Sequence, residues 1–259
     1  MTTASRTTAS RSADQHRPEL PADQLYDQGE VRRMFNRMSA SYDRMNLILS
    51  FGFSAAWRRQ LLALVADHPA PVAVVDLMSG RGETWAEIAR RYPRSSITAV
   101  DFSERMVTAS ATRNHAVHEN RVSILCEDVL CSSVPDTSVD IVVCAFGLKT
   151  LNSEQSRRLA DEVARILRPG GRFAFIEITK PAHAMLRFGY LLYLRCLVPL
   201  AATLLLADAT DYRMLHHYLN DYGNGARARD AFCVQQSLRV QTRRHFFGCA
   251  TSLSGHRIA

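Results

Sequence analysis

Between residues 71 and 178 the chain alternates short β-branched runs with longer stretches of helical period. Five runs read as strands: 72–76, 96–101, 122–126, 139–145 and 172–178. Helical text lies between the first three, and a further helix is predicted at about 154–167. Asn152 or Ser153 caps it, Leu159, Val163, Ile166 and Leu167 form its apolar face, and Pro169-Gly170-Gly171 stops it. Near-continuous Val/Ile strands separated by helices predict an α/β fold with a parallel sheet covered on both faces. Right-handed crossovers then bring the C-terminal ends of the strands to one edge, where ligands of such sheets bind.

Upstream, Val31, Phe35 and Met38 recur at helical spacing, and a second helical run covers 55–65. Read without outside knowledge, these are two amphipathic helices packed on a core. Downstream, 183–207 is strongly apolar but is interrupted by Arg187, Arg195 and Pro199, so it does not read as a membrane-spanning helix. Two readings stand: ordinary core, or a greasy wall for an isoprenoid chain or a membrane surface. Residues 1–21, rich in Ser, Thr and Ala, read as a disordered tail. They lack the apolar stretch of a secretory signal, while an organellar transit peptide stays open.

Composition changes this picture little. With 259 residues and 47% hydrophobic content the chain supports one sizeable core, and 22% charged residues is ordinary for a soluble, cytoplasmic protein. The net charge of +7 comes without a basic block interleaved with aromatics, so a solvated basic surface is preferred over nucleic-acid binding. Recruitment to anionic lipid stays open. Six cysteines show no C-x-x-C spacing, and several lie in apolar runs; they read as buried free thiols, with no metal site and no disulfides.

The candidate chemistry collects at the predicted sheet edge. The first strand runs into Asp76-Leu-Met-Ser-Gly-Arg-Gly-Glu and then helical text. Glycines at 80 and 82 permit a tight turn with close backbone approach to a ligand, and a helix N-terminus follows. Asp76 argues against a polyphosphate and for a ligand with a cationic part. Asp101 ends the second strand, where an acid commonly accepts from both hydroxyls of an adenine nucleoside's ribose. Asp128 follows the third, placed to accept from the adenine amine with Val129 against the ring. Any one of these acids could cap a helix; three at successive strand ends point to a nucleoside.

These motifs resemble the class I S-adenosylmethionine-dependent methyltransferases, and more narrowly the ubiquinone/menaquinone-biosynthesis C-methyltransferase family. The resemblance runs from about Val31 to Arg213 and rests on F-N-R-M-S-A-S-Y-D-R-M-N, L-S-F-G, D-L-M-S-G-R-G-E, V-D-F-S-E-R-M, A-F-G-L-K, R-I-L-R-P-G-G-R and A-D-A-T-D-Y-R. It implies a Rossmann-like, seven-stranded sheet ending in an antiparallel pair at 240–249 and 250–257. One methyltransferase domain, 22–259, would carry N-terminal helices (22–70) and a helical substrate cap (183–237). It implies S-adenosyl-L-methionine as cofactor, held by Tyr42, Asp76, Ser79, Gly80, Gly82, Trp85, Asp101, Phe102, Asp128, Val129 and Ala145. It departs from the family at Met78, usually alanine there, at Arg81, at Trp85, which aligns with a cofactor-contacting threonine, and at Lys149 and Thr150, which replace arginine and asparagine.

The implied activity is methylation, on carbon, of a small apolar aromatic or prenylated, quinone-like substrate. Lys149 is a candidate cation for a phenolate, or else a surface lysine. Tyr212 and His216 are candidate proton acceptors on the cap. The alternatives are a C- or O-methyltransferase of specialised metabolism and a methyltransferase fold that no longer transfers methyl. A peripheral membrane contact and a homodimer stay open.

Overall fold

A computed structural model of the chain describes residues 25–42, 50, 52–65, 71–193 and 210–258, with only the backbone at 191, 210–213, 215 and 216. The expected tail, and 194–207 of the apolar stretch, lie outside the described residues.

Seven strands form one sheet in the order β3-β2-β1-β4-β5-β7-β6. They are β1 (Ala73–Leu77), β2 (Ser96–Asp101), β3 (Val122–Cys126), β4 (Val139–Ala145), β5 (Leu167–Ile178), β6 (Leu238–His245) and β7 (Ala250–Arg257). The first five are mutually parallel, while β7 runs antiparallel to both β5 and β6. The sequence-predicted strands and the antiparallel pair are all present, and β1 continues one residue past Asp76.

The helices are α1 (Gln28–Met38), α2 (Ser54–Leu62), α3 (Trp85–Arg91), α4 (Glu104–His118), α5 (Ser153–Ile166), α6 (Ala184–Leu192), α7 (Thr210–Tyr222) and α8 (Ala226–Val234). Each of α1, α4 and α5 starts on a side-chain cap: Asp27, Ser103 and Asn152 accept the N–H of Glu30, Met106 and Gln155. At α5 Gln155 reaches back to the Asn152 N–H at 2.9 Å, completing a capping box. Helix α5 ends at Ile166 and runs directly into β5, so the Arg-Pro-Gly-Gly corner becomes a register shift opposite Val139 and Ile141.

Two buried clusters cover the two faces of the sheet. One packs α5 and α8 on Val142, Phe173 and Phe175; the other packs α2 and α3 on Val74, Ile141 and Ile176. Helix α8 therefore belongs to the main core through Ala228 and Phe232, although its sequence places it in the expected cap. A smaller third cluster joins Val31, Met34 and Met38 of α1 to Tyr190 of α6 and Tyr218 and Leu219 of α7. This small cluster seats α1 beside the C-terminal edge of the sheet. Of the described cysteines, Cys144 and Cys249 are buried as free thiols, whereas Cys126, Cys131 and Cys233 are exposed, against the expectation for several of them. Among the described residues no helix is long and apolar enough to cross a membrane.

Candidate active site

At the C-terminal edge of β1, β2 and β4 lies a cavity enclosing, with its mouth, about 630 Å³ of empty space, within the ~300–1,000 Å³ typical of small-molecule sites. Six residues named from the sequence line it: Tyr42, Gly80, Asp101, Phe102, Asp128 and Val129. Asp101 is buried at the end of β2 and accepts the N–H of Gly80 at 2.8 Å and of Ser103 at 2.9 Å. The acid thus holds the glycine turn in place while presenting its remaining lone pairs to the cavity. Burial pushes its carboxyl up to about 6, against the pull of those two N–H donors.

Asp128 accepts the Leu130 N–H at 2.9 Å through one oxygen and the Gln28 side-chain amide at 2.9 Å through the other. The oxygen expected to receive an adenine amine is met by an amide of the same donor chemistry. Helix α1 roofs the cavity with Gln28, Val31 and Phe35. Phe35, expected in the core stripe, faces the site and meets the Tyr42 ring edge-on at 5.9 Å between centroids. Polar ties hold this roof. Asn36 donates to Glu104 at 2.7 Å and accepts from the Ser103 hydroxyl at 2.7 Å, and Arg81 donates to the Ser39 carbonyl at 2.9 Å. Tyr26, also on the cavity wall, donates to Asp221 and accepts from Arg227 at 2.9 Å. Burial and the Asp221 bond raise its phenol to about 12.

The other named residues lie near the cavity without lining it. Trp85 is fully buried in the core; its ring fills the space above Gly82, where a Cβ would come within 2.6 Å of it. Gly82, at φ 80°, makes room for the indole rather than for a ligand. Asp76 is buried, and its carboxyl is raised well above the usual range by burial and by Glu83, with Arg58 and Trp85 opposing. Oδ2 of Asp76 and the hydroxyl of Ser79 are buried without a hydrogen-bond partner. Ala145 is half-buried at the end of β4.

Lys149 is buried, not a surface lysine. Its ammonium donates to the Phe146 carbonyl at 2.5 Å and lies 3.2 Å from Glu177 Oε1, and Glu177 Oε2 accepts the Lys149 N–H at 3.0 Å. It braces the turn after β4 from behind and does not line the cavity. Tyr212 and His216 fall on α7, but their side chains lie outside the described residues.

Sequence reasoning missed part of the wall: Tyr26, Gln28, Leu151 and Gln155. Phe146 and Met78, in motifs next to the predicted strand ends, line it as well. Both adopt positive φ, 69° and 51°. The side chain of Met78 lies against Gly147, where a Cβ would meet its sulfur at 2.5 Å, so Met78 does not fill the cavity. No group of His, Cys, Asp and Glu among the described residues is arranged to hold a metal.

A seven-stranded sheet of this order, with an acid at the end of β2 beside a glycine turn, defines a class I S-adenosylmethionine-dependent methyltransferase. The cavity fits that cofactor. Asp101 and Asp128 offer acceptors suited to ribose and adenine, and the orphaned atoms of Asp76 and Ser79 lie buried behind that lining. The fold is similar to that of geranyl diphosphate C-methyltransferase from Streptomyces coelicolor A3(2) (TM-score 0.57, 12% identical, covering 79% of each chain).

The model of the ubiE/COQ5 methyltransferase family matches residues 23–250, and the chain belongs to that family. The match extends well past Arg213, where the sequence motifs fade. The chain is 33% identical to a demethylmenaquinone methyltransferase of Clavibacter sepedonicus over 76% of its own length and 78% of that protein. It is 28% identical to a demethylmenaquinone methyltransferase of Chlamydia trachomatis, covering 88% and 96%. The protein is thus an S-adenosylmethionine-dependent methyltransferase.

Proposed function

We propose that the enzyme methylates a ring carbon of a prenylated, quinone-like aromatic substrate in its reduced, hydroxylated form, at the cytoplasmic face of a membrane. The carrying observation is the mixed lining of the cavity: acids and the glycine turn beside the apolar Val31, Phe35, Met78, Phe146 and Leu151. The relatives named demethylmenaquinone methyltransferase support the substrate class.

S-adenosylmethionine supplies a methyl group already activated on a sulfonium, so the protein's task is alignment and exclusion of water. Asp101 and Asp128 orient the nucleoside, and Phe35 and Tyr42 close over it. Loss of a phenolic proton places electron density on the adjacent carbon. Tyr212 and His216 on α7 are the proton acceptors this reading names. Lys149 acts as a positioning residue: through its bond to the Phe146 carbonyl it holds the Phe146–Gly147 turn at the substrate side.

The test is product analysis with a short-chain demethylnaphthoquinol under reducing conditions. Methylation on carbon gives a product that reoxidises to a coloured quinone, whereas a methyl ether stays locked in the reduced form. A product that resists reoxidation, or no product from cofactor-binding enzyme, would overturn the proposal. Separate Tyr212→Phe and His216→Ala variants, read by kcat at saturating cofactor, identify the proton acceptor.

A further inference from the structure

Outside the catalytic cavity the described surface carries one concentration of exposed apolar side chains. Met185, Phe188 and Leu192 recur at helical spacing along the outer face of α6, with 79%, 70% and 49% of their surface exposed. The same helix buries Tyr190 and partly buries Leu186 on its inner face, so it is apolar on both sides. Beside it, the turn between β6 and β7 presents Phe246 and Phe247, 47% and 79% exposed. Met185 and Phe246 line one shared groove of about 1050 Å³ together with Phe53, Trp57, Tyr190 and Cys249.

The two phenylalanines are held out at a cost. Both adopt left-handed backbone, φ 43° and 55°, a conformation that disfavours any side chain with a Cβ. Water gives no reason to keep two adjacent phenylalanines in that conformation, because exposure of apolar surface is itself unfavourable. An apolar phase does.

The charge around the patch selects that phase. Exposed around the groove are Arg187 on α6 and Arg243 and Arg244 just ahead of the Phe246–Gly248 turn, with Lys180 half-buried near Arg187. Arg58 turns inward over the Phe146 ring, and Arg59 is paired with Glu87 at 3.9 Å. The Cδ of Arg244 lies 4.0 Å from the space over Gly248. Apolar side chains that project beside the exposed cations Arg187, Arg243 and Arg244 match the boundary of an anionic phospholipid bilayer.

The patch is also connected to the catalytic cavity. Ring centroids follow one another from Phe247 to Phe246 (5.7 Å), Phe53 (4.6 Å), Trp57 (5.8 Å) and Phe146 (6.2 Å), and Phe146 lines the cavity. We infer that α6 and the Phe246–Phe247 turn form a docking surface for an anionic phospholipid membrane, and that the groove between them receives the isoprenoid tail of a bilayer-borne substrate. The docking stands without the proposed substrate; only the second clause rests on that reading.

The test is flotation of the full-length protein with vesicles of phosphatidylcholine alone or mixed with phosphatidylglycerol, without substrate. Binding is expected to the anionic vesicles and to fall with salt. Phe247→Asp is expected to weaken it about tenfold through lost apolar burial, and Arg187→Glu by at least roughly fivefold through lost attraction. Both variants keep wild-type turnover of a short-chain quinol in solution and lose turnover of a long-chain quinol embedded in vesicles. No flotation at any composition, or flotation unchanged in both variants, would overturn the inference. So would concentration-dependent dimerisation abolished by Phe247→Asp, since a second copy of the chain would then be the occupant. Flotation is independent of methyl transfer, and turnover of the soluble quinol is independent of docking, so failure of one proposal is distinguishable from failure of the other.

Discussion

If Asp101 holds the nucleoside as proposed, the cofactor affinity is expected to depend on pH in a window where ordinary aspartates are silent. Burial raises the Asp101 carboxyl from the usual 3.8 to about 6, while both its oxygens already accept backbone N–H bonds. An ionised carboxylate is an acceptor only; a protonated one presents a donor to ribose hydroxyls that come as donors. If the nucleoside binds the ionised form, protonation multiplies the apparent dissociation constant by one plus the ratio of protonated to ionised acid. The increase is about twofold at pH 6 and about elevenfold at pH 5, and negligible above pH 7. The sign for stability is opposite. A folded carboxyl above its unfolded value holds its proton more firmly than the unfolded chain does. Its stabilisation is full below about pH 4 and is lost as pH rises through 6, by up to about 3 kcal/mol. Calorimetric titration with S-adenosylhomocysteine between pH 5 and 7.5, with circular dichroism to verify folding, checks the binding slope. Asp101→Asn is expected to bind at least about tenfold more weakly at pH 7, through loss of charge-assisted hydrogen bonds, and to show no slope. Wild-type affinity that stays flat down to pH 5, or a slope that survives in Asp101→Asn, would refute the reasoning.

Other consequences are equally direct. Gln28→Ala frees the Asp128 oxygen that Gln28 now occupies, so S-adenosylhomocysteine is expected to bind two- to tenfold more tightly, roughly one hydrogen bond's net worth; weaker binding would mean that Gln28 itself holds the ligand. Gly147→Ala drives a Cβ to 2.5 Å from the Met78 sulfur and 2.9 Å from Met78 Cβ and should cost about 1–3 kcal/mol in urea denaturation; Met78→Ala/Gly147→Ala removes the sulfur but keeps the Cβ, so only part of the loss should be recovered. Lys149→Met leaves the buried Glu177 without its ammonium and should cost about 3–5 kcal/mol. Adding Glu177→Gln should return a large part of that loss, and a double variant no better than the single would show that the ion pair is not what holds this turn.

The parallel sheet was legible because its strands are buried on both faces and read as unbroken β-branched runs. The acids at their ends follow from the same arithmetic. Strand β6 was not legible by that route: Leu238–His245 is mostly exposed and carries three arginines, so its place in the antiparallel pair came only from the resemblance. Helix α8 was misplaced because Ala-Arg-Ala-Arg-Asp-Ala-Phe offers little apolar area; its assignment to the core depends on Phe232 meeting Phe173 and Phe175, with centroids 5.4 Å away in each case. Gln28 and Gln155 look like solvated helix residues in one dimension. Only the seating of α1 over the sheet edge turns them toward the cavity. Lys149 illustrates a different limit, since position after β4 says nothing about which way a four-carbon stem bends. Its partner is 28 residues away on β5.

The departures from the family pattern can now be weighed by where they point. Trp85 is spent under Gly82 in the core, with its ring edge-on to His118 at 5.8 Å, and takes no space from the nucleoside. Met78 leans on Gly147, Lys149 grips the Phe146 carbonyl, and Arg81 reaches the Ser39 carbonyl at the end of the roof helix. These last three tie one wall of the cavity to another element, and two of them converge on the Phe146–Gly147 turn. Neither Met78 nor Trp85 closes the cavity: Met78 lies in its wall and Trp85 in the core. What distinguishes this chain from the family pattern is therefore a cavity wall tied to its neighbours by Met78, Arg81 and Lys149, none of which closes the cavity.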